Sequence, residues 1–213
     1  WASRTKASSY AFGKDMEAEL YAAANSTQTA ADPNNINGQP HRIALATGYT
    51  AQEFVDAVAD MKTSYDKANV PEEGRILIVD AKTENKLNKL TTGAVLVADS
   101  PRFEGLLETG FAKAHRFVRN IHGFDVFVSN LLPVSSAAET VDSVATLAGS
   151  EVCIAMCVAD EDCKPMMGVI RQRPTAAFER QESKKRDAWS STAYWGFALY
   201  RPESLICLIT DNS

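Results

Sequence analysis

The segment from Thr50 to Asp80 constrains this chain more than any other, because it spells out a helix, its stop and a buried strand in unbroken succession. Thr50 has Glu53 three residues on, the spacing of a capping box, in which each side chain serves the other's backbone N–H. Phe54, Val55, Val58, Met61 and Tyr65 then fall on one helical face. The pattern stops near Asn69, where Pro71 biases Val70 away from helical angles. After Gly74 comes the near-continuous apolar run Arg75-Ile76-Leu77-Ile78-Val79-Asp80, which predicts a strand covered on both faces.

The rest of the chain can be read around this segment. Residues 4–24 predict a helix, with Tyr10, Met16, Leu20 and Tyr21 as its apolar stripe, and the polar stretch from Asn25 to Gln39 predicts a loop or hinge. Lys82 to Leu90 reads as a short polar helix, and 91–119 is ambiguous. Ile121 to Ser129 predicts a second strand, with Phe124, Val126 and Val128 on one face, ended by Leu131-Leu132-Pro133. Ser135 to Val144 reads as a surface loop, and Val152 to Val158 as a third strand. The section from Gly168 to Asp211 predicts two or three long antiparallel strands.

Composition excludes several classes. With 213 residues, 45% hydrophobic and 23% charged, the chain is globular in character and long enough to bury a core without disulfides or metal. A net charge of -5 argues against a dedicated nucleic-acid binder. No apolar run reaches the roughly 18 residues that mark a membrane-spanning candidate. Trp1-Ala2-Ser3-Arg4 has neither an initiator Met nor the apolar core of a signal peptide, so residues upstream are expected. Cys153, Cys157 and Cys163 are spaced four and six apart, without a CxxC pair. They read as small apolar residues in or near a strand, with a metal or reactive-thiol site as the alternative. His41, His115 and His122 show no metal spacing, and no GxSxG, phosphate-binding or dinucleotide-binding loop is present. Neither a catalytic site nor a cofactor is predicted.

Three phrases resemble one family when taken together and in order. The first is Ala68-Asn69-Val70-Pro71-Glu72-Glu73-Gly74-Arg75 running into Ile76-Leu77-Ile78-Val79. The second is Ile121-His122-Gly123-Phe124-Asp125-Val126-Phe127-Val128-Ser129-Asn130-Leu131-Leu132-Pro133. The third is the charged stretch from Arg171 to Arg186, followed by Tyr194-Trp195-Gly196-Phe197-Ala198-Leu199-Tyr200-Arg201-Pro202-Glu203. They are similar to motifs of tailed-phage major capsid proteins of the HK97 fold, T7-like and P22-like coat proteins among them. The resemblance runs from about residue 50 to the end, and more loosely through the first helix. The family's N-terminal arm and extended loop have no counterpart in this sequence.

The resemblance implies an α+β, HK97-like fold with a spine helix, long peripheral-domain strands and an axial domain whose mixed sheet is flanked by helices. Residues 1–49 would be the end of the spine helix and a peripheral segment, 50–165 the axial domain, and 166–213 the peripheral strands. The implied function is that of a structural subunit, not an enzyme, which assembles into pentamers and hexamers around double-stranded DNA in the host cytoplasm. Scaffolding, portal and cement proteins would be its other partners. Arg171, Arg173, Glu179, Arg180, Glu182, Lys184, Lys185 and Arg186 are candidate inter-subunit contacts, since mixed charge fixes register between neighbours; a solvated charged face is the plainer alternative. Lys113, Arg116 and Arg119, beside His115, are candidates for a DNA or axial contact. Three rivals stay open: an encapsulin-like compartment, an intracellular α/β enzyme with a cysteine site, and a small-molecule binding module.

Overall fold

A computed structural model describes residues 2–26, 35–36, 39–93, 120–135, 137–141 and 143–211. Helix α1 spans Ala2–Ser26. Short strands β1 (Asn35–Ile36), β2 (Gln39–Pro40) and β3 (Arg42–Ala44) follow, then α2 (Ala51–Lys67), β4 (Arg75–Val79) and α3 (Ala81–Gly93). After these come β5 (Asn120–Ile121), β6 (Phe124–Val128), β7 (Glu139–Val141), β8 (Val144–Thr146) and β9 (Glu151–Cys157). The chain finishes with β10 (Met166–Gln181), β11 (Arg186–Leu199) and β12 (Leu205–Thr210).

Helix α2 starts as its sequence dictates: the Thr50 hydroxyl accepts from the Glu53 N–H at 3.2 Å, and the Thr50 N–H donates back to the Glu53 carboxylate at 2.6 Å. The stop after α2 is held by an arginine. Arg75 is buried and donates to the carbonyls of Val70 at 2.6 Å and Pro71 at 2.8 Å, and to the Asp66 carboxylate at 2.8 Å. Carbonyls of an irregular turn, removed from water, need such donors. Gly74, at φ +70°, passes so close to the turn after β9 that an added Cβ would stand 2.7 Å from the Ala159 nitrogen.

Six strands form the central mixed sheet in the order β3-β12-β9-β4-β6-β5. Strands β12, β9 and β4 are buried on both sides because both sides are covered, whereas β6 leaves Asp125 and Phe127 exposed. Leu77, Val79, Phe124, Cys153, Ala155 and Leu208 face Phe54, Val58, Met61 and Tyr65 of α2 and Leu87 of α3. Ile78, Val152, Ile154, Cys207 and Ile209 face Tyr21 and Ala24 of α1 and Val141 of β7. The Tyr65 hydroxyl, buried with its ring, donates to the Ala155 carbonyl at 2.8 Å.

Three expectations change. The run 121–129 is a hairpin rather than one strand: His122 at φ 49° and Gly123 at φ 91° reverse the chain between β5 and β6, as a two-residue turn of this twist requires. The 135–144 segment contains β7, which pairs with β8. Finally, the section after 166 forms two long antiparallel strands as expected, but its last part leaves them. A short 3-10 turn, Pro202–Ser204, carries the chain back into the sheet, where β12 pairs with β9 and β3. Its six residues are all buried, and that burial decides their place.

Candidate functional site

The remaining long strands, β10 and β11, pair only with each other among the described residues, as an antiparallel ribbon with register shifts between Ile170 and Gln172 and between Gln172 and Thr175. A two-stranded ribbon is marginal in water unless something packs on it. Helix α1 covers one face: the Trp195 indole N–H donates to the Glu19 carboxylate, and the Phe12 ring meets the Trp195 ring edge-on, centroids 5.9 Å apart. On that side Gly168 lies opposite Phe197, whose ring occupies the place of a Cβ. Along β11 the residues facing α1 are half-buried, while Ser190, Thr192, Tyr194, Gly196 and Ala198 are exposed.

Towards the root the uncovered face is apolar. Met167, Val169 and Tyr194 are 51%, 63% and 59% exposed, and Tyr200 at the root of the ribbon 57%. Apolar surface gathered in this way marks an interaction site. The sequence reading missed these residues. Their signal is that Tyr194 to Tyr200 is apolar in both phases of the strand alternation, although only one phase meets α1.

The predicted charged residues lie on the same ribbon. Arg171 and Arg173 sit at the irregular stretch in the middle, whereas Glu179, Arg180, Glu182, Lys184, Lys185 and Arg186 gather at the far tip. All are exposed except Arg186, whose side chain lies outside the described set. Arg180 pairs with Glu182 at 2.9 Å, with both side chains over 70% exposed, so this pair adds only about 0–1 kcal/mol. Lys113, His115, Arg116 and Arg119 lie outside the described residues.

The other candidate sites resolve into structural roles. Of the candidate cluster, Cys153 and Cys157 are buried in β9, as is Cys207 in β12, while Cys163 is half-buried in the turn after β9; burial pushes the Cys153 thiol up to about 12, which keeps it protonated and unreactive. Cys207 donates to the Ala24 carbonyl at 3.8 Å, joining sheet to helix. His122 is an exposed turn residue, and His41 is buried beside Arg42. A half-open cleft of about 300 Å³ is lined by Asp80, Lys82, Ser129, Asn130, Leu132 and Glu151. Asp80 is already engaged there, accepting from the N–H groups of Lys82 at 2.8 Å and Thr83 at 3.1 Å as the cap of α3. Among the described residues, no three His, Cys, Asp or Glu side chains converge as a metal site would need, and no helix is long and apolar enough to cross a membrane.

The sequence matches the family described as "Phage capsid protein" over residues 1–208. The chain belongs to the phage capsid protein family. Its fold is that of HK97-type capsid proteins. A chain of Mycobacterium phage Che8 is 18% identical, with 96% of this capsid protein and 61% of that chain covered and a TM-score of 0.63. The mature capsid of bacteriophage PhiM1 is 14% identical, with 100% and 65% covered and a TM-score of 0.65. An encapsulin complex of Synechococcus elongatus is 11% identical, with 97% and 64% covered and a TM-score of 0.57. This capsid protein thus spans less than two thirds of each of those chains. No curated protein matches it in sequence.

Proposed function

We propose that this phage capsid protein is the repeating structural subunit of an icosahedral shell, that it assembles in the host cytoplasm into pentamers and hexamers around double-stranded DNA, and that it catalyses no reaction. The observation that carries the reading is the ribbon, an element with one face held by its own helix and the other exposed, with Met167, Val169 and Tyr194 gathered near its root. A family match over residues 1–208 supports it further. Ring-forming subunits need two different patches that fit each other, and a ribbon projecting from a compact body offers one of them. The charged residues from Arg171 to Arg186 are inter-subunit contacts in this reading. Helix α1 and the ribbon form the peripheral domain. Residues 50–165 form the axial domain, joined by β12 as its last strand. Lys113, Arg116 and Arg119 face DNA or the axial contact, and scaffolding, portal and cement proteins act as outside partners.

Sedimentation with negative-stain imaging of the same sample tests the proposal. Closed shells, or rings of five or six copies, are expected. A monomer that persists at high concentration overturns it. Likeness in fold to an encapsulin keeps a second reading open, a compartment for protein cargo. Nucleic acid inside the particles supports the phage reading, and a packed protein instead supports the compartment.

A further inference from the structure

One end of the body is strongly acidic. Glu72 and Glu73 lie in the turn before β4, and Asp160, Glu161 and Asp162 in the turn after β9. Strands β4 and β9 are antiparallel, with Arg75 opposite Cys157, so both turns sit at the same end of the sheet. The contact is direct: the Val158 N–H donates to the Gly74 carbonyl at 2.9 Å. All five carboxylate residues are exposed. Arg75, the cation between them in sequence, does nothing to balance them. Its guanidinium is buried and committed to Asp66, Val70 and Pro71. Counting the five acids against Lys164 and Arg201 leaves a net charge of about -3 at this end.

The ribbon tip has the opposite balance. Lys184, Lys185 and Arg186 are consecutive, and the Glu182 carboxylate is already taken by Arg180. Four bases against Glu179, Glu182 and Asp187 leave about +1, with the lysines exposed at the very end.

These two patches cannot meet within one copy. The ribbon is rooted at the acidic end, where the N–H groups of Tyr200 and Arg201 donate to the Pro165 carbonyl at 2.7 and 3.1 Å. From Met166 the 16 residues of β10 carry the tip away; at about 3.3 Å per residue, it stands roughly 50 Å off. Opposite charges at opposite ends of a stiff arm satisfy each other only between molecules.

We propose that the basic ribbon tip of one subunit docks on the acidic end of a neighbouring copy's body, a head-to-tail contact that closes rings or triangles. This rests on the shell reading and names the partner surface for the ribbon. Apolar contact has a place at both ends, with Phe178 63% exposed near the tip and Val158 37% exposed beside the acidic turn. Electrostatic fit of this kind selects partner and orientation.

Charge reversal in the full chain tests the inference, with near-UV circular dichroism confirming that each variant is folded. The tip variant Lys184→Glu/Lys185→Glu and the body variant Asp160→Lys/Asp162→Lys should each weaken self-association by at least about tenfold in sedimentation. The variant carrying all four changes restores complementarity and should return to the wild-type profile. Should a variant fail to fold, salt gives the same answer on the wild type: at about 0.5 M the screening length is only a few Å, and association should fall. Reversed variants that assemble like wild type, or a combination no better than its parts, overturn the docking contact and leave the shell reading intact. Loss of bound nucleic acid from the tip variant with assembly unchanged overturns it too, assigning the lysines to a polyanion. Wild-type protein that never associates overturns the shell reading itself.

Discussion

Arg75 and Asp66 meet at 2.8 Å, and only one of them is hidden: the arginine side chain is 1% exposed and the aspartate 44%. The two residues therefore do not share the consequences of their loss equally. Arg75→Met leaves the Val70 and Pro71 carbonyls, as well as Asp66, without their donor, and should cost about 2–4 kcal/mol. Asp66→Ala leaves Arg75 with both carbonyls and lets water replace the acid, at about 1–2 kcal/mol. Urea unfolding midpoints of the two variants check the order.

Gly74 separates backbone strain from crowding. Gly74→Ala meets both a left-handed φ of +70° and the Ala159 backbone at 2.7 Å. Gly123→Ala, at φ +91°, meets open space. The second change should cost about 1 kcal/mol, the first about 2–4. Thermal unfolding of the pair gives the difference, and equal losses would remove the role assigned to close approach.

Trp195 and Tyr194 are neighbours with opposite duties. Trp195→Ala removes the anchor between ribbon and α1, so hydrogen exchange along β11 should quicken in the isolated subunit by roughly tenfold. Tyr194→Ser, on the uncovered face, should leave that exchange alone and lower the extent of assembly instead. A Tyr194 variant that assembles normally would show that this face stays in water.

Acid should loosen the protein through His41. Burial, and then the charge of Arg42, bring its imidazole from 6.5 down to about 4. Between these values the unfolded chain binds a proton that the folded chain refuses. Stability contributed by the neutral ring is complete above about pH 6.5 and falls by up to about 1.4 kcal/mol per unit as pH drops to 4. His41→Gln should flatten that slope in urea titrations at pH 7, 5.5 and 4.5, whatever it costs at neutrality.

What the sequence disclosed was what neighbouring residues decide among themselves. Thr50 and Glu53 cap α2 with partners three residues apart, and β4 is a continuous apolar run, so both were readable. Strand β3 was not: it has three residues, and it exists because Cys207 to Ile209 lie parallel beside it. The hairpin at His122 was missed although Gly123 and the break in phase between Ile121 and Phe124 mark it; the left-handed histidine itself is no turn signal. Arg75 read as the flank of a strand, and only the folded turn shows the carbonyls it serves. The charges of the ribbon were visible in the sequence. Which end of the molecule each occupies was not, since that depends on how far β10 runs and in which direction.

The position of β12 has a consequence for how the protein is made. It is a central strand, between β9 and β3, yet in chain order it follows the whole ribbon. A chain leaving the ribosome presents β3, β4 and β9 early and must hold a gap between β9 and β3 until β10 and β11 have emerged. The sheet therefore cannot close before the arm has been made, so no newly synthesised chain carries a sealed core without its arm.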